Sequence, residues 1–380
     1  MPVCLDATYR KALDGCPLTL EEGRALWWQA PLDELMAVAS QMRFLLNPRR
    51  VVTWQIDRNV NITNICQCGC LFCNFHCHSA APQAYVTSLE QYTEKIEEMQ
   101  RLGGDQVLLQ GGMHPELGLE FYCDLFRALK ARYPGVRLHA LGPPEVVHIA
   151  KLAGQSVEAV LATLVEAGLD SLPGAGAEIL SERVRRRISP RKATAEQWLQ
   201  VMAIAHRMGL LTSATMMYGH LETIDERLQH LIDIRTLQAA KPEATPGFVA
   251  FIAWPIMRSG TPLQRHYPAP PIAPAEHLRL TAVARLMLCN VPHVQASWLT
   301  VGAETAALSL WGGADDMGSI MIEENVVASA GAHHALDAEG MQQLIRTAGF
   351  EPQLRDQAYQ PRRYAPRRPD AQPSTTDATP

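Results

Sequence analysis

The spacing of apolar and polar positions changes character along the chain, and those changes predict its elements. Residues 1–50 carry apolar positions at helical spacing, with Leu20-Glu21-Glu22 opening one helix and Leu32-Asp33-Glu34-Leu35-Met36 another. They predict an N-terminal helical cap. From Val51 onward, strand-like and helix-like stretches alternate. Helix starts are marked by a hydroxyl followed three residues later by an amide or acid, at Ser88 and Gln91, Thr194 and Gln197, and Thr223 and Glu226. Such pairs satisfy the orphaned amides of a first helical turn. After Ser88, Leu89, Tyr92, Ile96, Met99 and Leu102 recur on one face, and Gly103-Gly104 ends the run.

A glycine followed by an apolar run returns before Val136, Leu169 and Leu210; glycine at a helix end supplies the turn into the next strand. The candidate strands are 54–64, 106–111, 136–141, 169–172, 211–217, 248–253, 293–298 and 314–319. Helices in the connections make them parallel. The expected fold class is therefore α/β, a TIM-type (β/α)8 barrel over residues 51–335, with its working groups at the C-terminal strand ends. Residues 336–360 predict a C-terminal helix and an extension packing on the barrel. Residues 361–380, with prolines among Arg, Ser and Thr, read as a disordered tail.

Composition narrows the class of protein. The chain has 380 residues, 47% hydrophobic and 19% charged, with a net charge of -5. That is an ordinary globular balance, with no basic excess to suit nucleic acid or an anionic membrane. The opening Met1-Pro2-Val3-Cys4-Leu5-Asp6 lacks the regions of a secretion signal and no apolar run reaches membrane-span length, so a cytoplasmic location is expected. Nine cysteines, five of them between Cys66 and Cys77, suit a reducing compartment and a metal better than a disulfide framework.

Three of those cysteines, Cys66, Cys70 and Cys73, follow the first candidate strand at C-x3-C-x2-C spacing. Three thiolates can hold three irons of a four-iron cluster and leave the fourth open to a small molecule. A zinc-stabilised binding protein is the rival reading. Zinc sites favour two short ligand pairs with a spacer between them, whereas Cys68, His76, Cys77, His78 and the three cysteines all lie within 66–78. Cys68 and Cys77 are read as bystanders. Cys4, Cys16, Cys123 and Cys289 are read as inert small hydrophobes.

The C-x3-C-x2-C loop, with Phe72 before its last cysteine, resembles the radical S-adenosylmethionine superfamily. Longer strings agree: Gln106-Val107-Leu108-Leu109-Gln110-Gly111-Gly112, Asp170-Ser171-Leu172-Pro173-Gly174-Ala175-Gly176-Ala177-Glu178-Ile179, Ala214-Thr215-Met216-Met217-Tyr218-Gly219-His220, Gln295-Ala296-Ser297-Trp298 and Asp316-Met317-Gly318-Ser319, continuing to Val326. They resemble the dehypoxanthine futalosine cyclases of menaquinone biosynthesis, with aminofutalosine synthases and deazaflavin-precursor synthases as sister groups. The resemblance implies a radical S-adenosylmethionine barrel with a 4Fe-4S cluster on Cys66, Cys70 and Cys73, and S-adenosyl-L-methionine beside Phe72, Gly111, Gly112, Glu178 and Gly219. Thr215 and Met217 depart from the family's adenine-side pattern, while Gly219 and Glu222 keep its register; Glu222 is read as a loop-fixing acid. It further implies a small-molecule substrate, dehypoxanthine futalosine, and an external one-electron reductant such as flavodoxin or ferredoxin. Candidates for the substrate's carboxylate and hydroxyls are the strand-end groups His114, His139, Tyr218, His220, Gln295 and Asp316. No catalytic base is singled out.

Overall fold

A computed structural model describes residues 3–323, 325, 328–331 and 334–364. Ten strands, all parallel, make one sheet: β1 (Val51–Gln55), β2 (Asp57–Asn61), β3 (Gln106–Gln110), β4 (Arg137–Ala140), β5 (Ser171–Leu172), β6 (Leu211–Tyr218), β7 (Phe248–Pro255), β8 (His293–Gln295), β9 (Asp316–Ser319) and β10 (Glu351–Leu354). β1 and β2 are one run of chain interrupted only at Ile56. β2 pairs with β3 while β1 pairs with β9, so both ends of the strand order meet on the same run. The sheet thus closes into a (β/α)8 barrel. Two bonds stitch the seam: the Asp57 amide donates to Ser319 Oγ at 3.1 Å and the Ile320 amide to the Gln55 carbonyl at 3.0 Å.

All eight expected strand positions are occupied, although the first begins earlier, at Val51. β10 is an addition. It lies against β1 in the register Val51↔Glu351 to Trp54↔Leu354, below the point where β2 takes up β3. Helix Ala338–Thr347 leads into it and packs Met341 and Ile345 over Val52, Trp54 and Ile56 of the first strand. From residue 365 onward the expected tail lies outside the described residues, as do Glu324 and Val326 of the last matching string.

The capping pairs at Ser88, Thr194 and Thr223 all form, and Thr19 makes a fourth with Glu22. Helices Leu5–Leu13, Leu20–Trp28 and Leu32–Leu46 pack against helices Ile224–Ala239 and Pro274–Met287 on the barrel's outside. There, Arg24 makes two 2.7 Å bonds to Asp225, and Arg279 Nη1 donates to the Ala30 carbonyl at 2.8 Å.

Strand alternation divides the interior. Val60, Val107, Leu109, Leu138 and Met216 join the helices in the main apolar core. Their sequence neighbours face inward around a cavity of about 430 Å³ running along the barrel.

Candidate active site

The cysteine loop leaves β2 at the C-terminal mouth of the barrel. Thr63 Oγ1 donates to the Tyr85 carbonyl at 2.6 Å, Asn64 Nδ2 to the Gln83 carbonyl at 2.8 Å, and the Cys66 amide to the Cys77 carbonyl at 3.1 Å. These bonds fold residues 63–87 back on themselves, so the loop's shape is set by its own two ends. Outside partners fix it further. The Gln67 amide donates to the Met113 carbonyl at 3.2 Å, the Leu71 amide to Ile188 at 2.8 Å, and Arg191 Nε to the Cys68 carbonyl at 3.2 Å.

Cys66, Cys70, Phe72 and Cys73 line the cavity; Cys68 and Cys77 are buried and do not. The Cys68 thiol lies 3.2 Å from Met113 Sδ and 3.5 Å from the Arg191 carbonyl. Hydrogen bonding from Cys68 pulls the Cys66 thiol down to about 5 and also lowers Cys70, whereas burial pushes Cys73 up to about 11. Among the described residues, no three His, Cys, Asp or Glu side chains converge on a single ion. A four-iron cluster takes each thiolate at a different iron corner, so three thiols of one loop that line one cavity without meeting at a single ion fit the cluster.

Gly111 and Gly112 continue that wall. A Cβ at Gly112 would stand 2.2 Å from the Ile65 carbonyl oxygen and 2.8 Å from Cys66 Cβ. What approaches this glycine closely is therefore the cysteine loop itself. The Gly111 amide donates to Glu145 Oε1 at 3.1 Å. Glu145 faces the cavity from the first turn of helix Pro143–Ala153, and burial pushes its carboxyl up to about 7.

Opposite stands Glu178, whose φ of 46° turns it inward, with Lys192 Nζ 2.6 Å from its Oε1. Burial raises the Glu178 carboxyl, but the ammonium outweighs it and leaves the group below its ordinary value. Lys192 also lies 5.5 Å from the centre of the Phe72 ring and faces the thiols, lowering Cys66 and Cys70. Sequence reading singled out neither Glu145 nor Lys192, since a lone acid in a helix or a lone lysine in the turn between two helices carries no spacing signal.

The substrate candidates separate into two sets. His139 and Gln295 line the cavity; His139 Nδ1 lies 2.7 Å from Ser171 Oγ and is held neutral by burial, down to about 3. The other four are not among the lining residues. His114 accepts from the Glu116 amide at 3.1 Å, and Tyr218 bonds His277 Nδ1 at 2.7 Å. His220 Nε2 bonds the Met217 carbonyl at 2.9 Å, and Asp316 pairs with Arg355 at 2.6 Å. Of the expected cofactor residues, Gly219 is not among those lining the cavity: it has a φ of 86° and its amide donates to Glu222 Oε1 at 2.5 Å. Glu222 also accepts from the His220 amide and from Arg227 Nε, and so ties the loop together.

A closed parallel barrel with three cysteines of one loop on its cavity wall defines a class: barrel enzymes that carry an iron-sulfur cluster at the strand ends. Residues 60–234 match the family described as the radical SAM superfamily, and residues 245–368 match the CofH/MqnC C-terminal region. A cyclic dehypoxanthine futalosine synthase from Halalkalibacterium halodurans is 39% identical, over 94% of each chain. One from Streptomyces coelicolor is 41% identical, over 92% of this chain and 87% of the relative. A 5-amino-6-(D-ribitylamino)uracil–L-tyrosine 4-hydroxyphenyl transferase from Methanopyrus kandleri is 37% identical, over 90% and 93%. The crystal structure of methylornithine synthase shares the fold with a TM-score of 0.71 and 18% identity, over 92% of this chain and 98% of that one.

The chain belongs to the radical S-adenosylmethionine superfamily, in the group that carries the CofH/MqnC C-terminal region. It is an enzyme that uses a 4Fe-4S cluster and S-adenosylmethionine, with a small-molecule substrate and an external reductant. Among the described residues, no helix is long and apolar enough to cross a membrane.

Proposed function

We propose that this enzyme cyclises dehypoxanthine futalosine to its cyclic product in menaquinone biosynthesis, with Cys66, Cys70 and Cys73 holding the cluster. The observation that carries the reading is the likeness to two cyclic dehypoxanthine futalosine synthases, which extends through the barrel and into the C-terminal extension. When bound, the cluster and S-adenosylmethionine supply a hydrogen-abstracting 5′-deoxyadenosyl radical, and the sugar 4′ hydrogen is its target.

The chain's own residues do the rest by position and exclusion. Gly111 and Gly112 present bare backbone to the methionyl part of the cofactor, and Glu145 beside them offers an acceptor for its amine. Lys192 offers a cation to the cofactor carboxylate, and Glu178 faces the ribose hydroxyls. Phe72 covers the thiols. The enclosed barrel keeps water from the reacting carbon.

Incubation with dehypoxanthine futalosine, S-adenosylmethionine and a reductant tests this. The product should be two hydrogens lighter than the substrate, and deuterium placed at the sugar 4′ carbon should appear in 5′-deoxyadenosine. Cofactor cleavage without label transfer would sink the reading. Tyrosine with 5-amino-6-(D-ribitylamino)uracil is then the pair to try, given the similarity to the Methanopyrus transferase.

A further inference from the structure

The inward face of the first strand is a polar ladder that the reading above leaves without a task. Gln55, Asp57, Asn59 and Asn61 occupy alternate positions, so all four point the same way, and all four line the cavity. The break at Ile56 keeps this alternation. At the top, Asn61 is engaged, its Oδ1 accepting from Asn325 Nδ2 at 3.1 Å. The lower rungs each keep a buried atom with no hydrogen-bond partner among the described residues: Gln55 Nε2, Asp57 Oδ1 and Asn59 Oδ1. Gln106, in register with Asp57 on β3, keeps a fourth at Oε1. These four residues are 3, 6, 4 and 1% exposed, which puts their polar atoms out of reach of bulk water.

Buried polar groups in native proteins are almost always satisfied, so these four on the first strand and the adjacent β3, with Ser297 Oγ and Tyr359 Oη elsewhere around the same cavity, point to a ligand that completes them. Their chemistry says which kind. Three of the four are acceptors, and one of these belongs to a carboxyl group. Asp57 Oδ1 is left open: Ser319 Oγ accepts from the Asp57 backbone amide and supports its carboxyl from the same side, Arg355 acts on it only as a nearby charge, and Gln106 Nε2 reaches its Oδ2 at 3.4 Å. A benzoate laid against Asp57 would meet like charge, whereas hydroxyl groups bring the donors that the acceptors of Asp57, Asn59 and Gln106 lack.

We propose that Asp57, Asn59 and Gln106 bind the hydroxyl-bearing part of the substrate, a ribose-type sugar or an open-chain polyol, with Asp57 as the anchoring acceptor. The class of ligand follows from the ladder; the particular sugar rests on the cyclase reading. This arrangement lays the sugar along the first strand, below the cysteine loop that begins where that strand ends. Burial holds the Asp57 carboxyl above its ordinary value, with Ser319, Arg355 and Gln106 opposing.

Asp57→Asn keeps the shape and removes the charge. By calorimetry, its affinity for dehypoxanthine futalosine should fall about 10- to 100-fold, the size of a hydrogen bond to a charged group. Asn59→Ala should show a smaller fall. Iron content should be retained, and the ligand-free melting temperature of Asp57→Asn should hold or rise, because an unpaired buried charge has been removed. A structural role would lower it. Wild-type affinity in Asp57→Asn, or a loss of affinity matched by loss of iron and a lower melting temperature in both variants, would overturn the proposal. If wild-type protein fails to bind dehypoxanthine futalosine, the cyclase reading falls, and the same variants are measured with 5-amino-6-(D-ribitylamino)uracil. Weaker binding of that polyol by Asp57→Asn upholds the ladder, and unchanged binding overturns it.

Discussion

Asp316 and Arg355 form a two-pronged buried ion pair, Nε to Oδ2 at 2.6 Å and Nη2 to Oδ1 at 3.1 Å, which fastens the chain beyond β10 to the last strand of the barrel. Nη1 of the same guanidinium reaches Gln55 Oε1 at 2.8 Å, and its plane lies 3.9 Å from the Tyr359 ring, itself stacked at 3.8 Å on His293. Burial alone would raise the Asp316 carboxyl. Arg355 outweighs that and holds it below its ordinary value.

Breaking this pair from one side should be costly. Arg355→Met leaves a buried carboxylate without its cation, held only by neutral donors from Thr53, Gln295 and Gly318, and a loss of about 3–5 kcal/mol is expected in urea unfolding. A carboxyl whose pKa is lower in the folded than in the unfolded chain stabilises the fold above the unfolded value of about 4, and that contribution drains away as pH falls through the folded value. Stability of the wild type should therefore drop more steeply below pH ~4 than that of a doubly apolar Asp316→Leu/Arg355→Met variant. Parallel pH curves would contradict the assignment.

Alanine at Cys66, Cys70 or Cys73 should each abolish cluster loading, read as iron and sulfide per chain after anaerobic reconstitution. Cys68→Ala and Cys77→Ala should load normally, because neither thiol reaches the cavity. Full loading in Cys70→Ala together with loss in Cys68→Ala would reverse the roles.

Gly112→Val should lose iron as well as cofactor affinity. The added Cβ meets the Ile65 carbonyl before it meets anything in the cavity, so the cysteine loop must move. At Gly111 the nearest atom to an added Cβ is the Thr63 amide nitrogen at 3.0 Å, and Gly111→Ala should be the milder change. Normal iron content in Gly112→Val would show that the loop yields.

The Lys192–Glu178 pair should behave as a unit. Lys192→Met strands a buried carboxylate, for an expected loss of about 3–5 kcal/mol, and Lys192→Met/Glu178→Leu should recover part of it. S-adenosylmethionine affinity should fall in both, since both groups line the cavity. Strict additivity of the two single changes in unfolding would argue against the pairing.

Much of the barrel was legible in the sequence because capped helices lead into β3, β6 and β7 and glycines precede β4 and β5, signals that depend on neighbours in the chain. β10 was not. It owes its place to pairing with Val51–Trp54, some three hundred residues away, and short polar runs such as Glu351–Leu354 do not announce themselves. The cysteine loop was conspicuous by spacing, and His139 and Gln295 by their position at strand ends. Tyr218 and His220 had the same credentials, yet their side chains bond His277 and the Met217 carbonyl. Which way a strand-end side chain turns depends on the packing around it. The ladder from Gln55 to Asn61 was visible as alternate polar residues, but only closure of the barrel shows that this face points inward.

Arg355, Gln357 and Tyr359, which come from beyond the last strand, line the same cavity as the cysteine loop. Arg355 reaches back 300 residues to Gln55 at the start of the ladder, so the cavity wall is complete only once this late segment has folded against the first strand. For this fold, a chain that stops short of Arg355 would leave Asp316 without its cation and the cavity without three of its lining side chains.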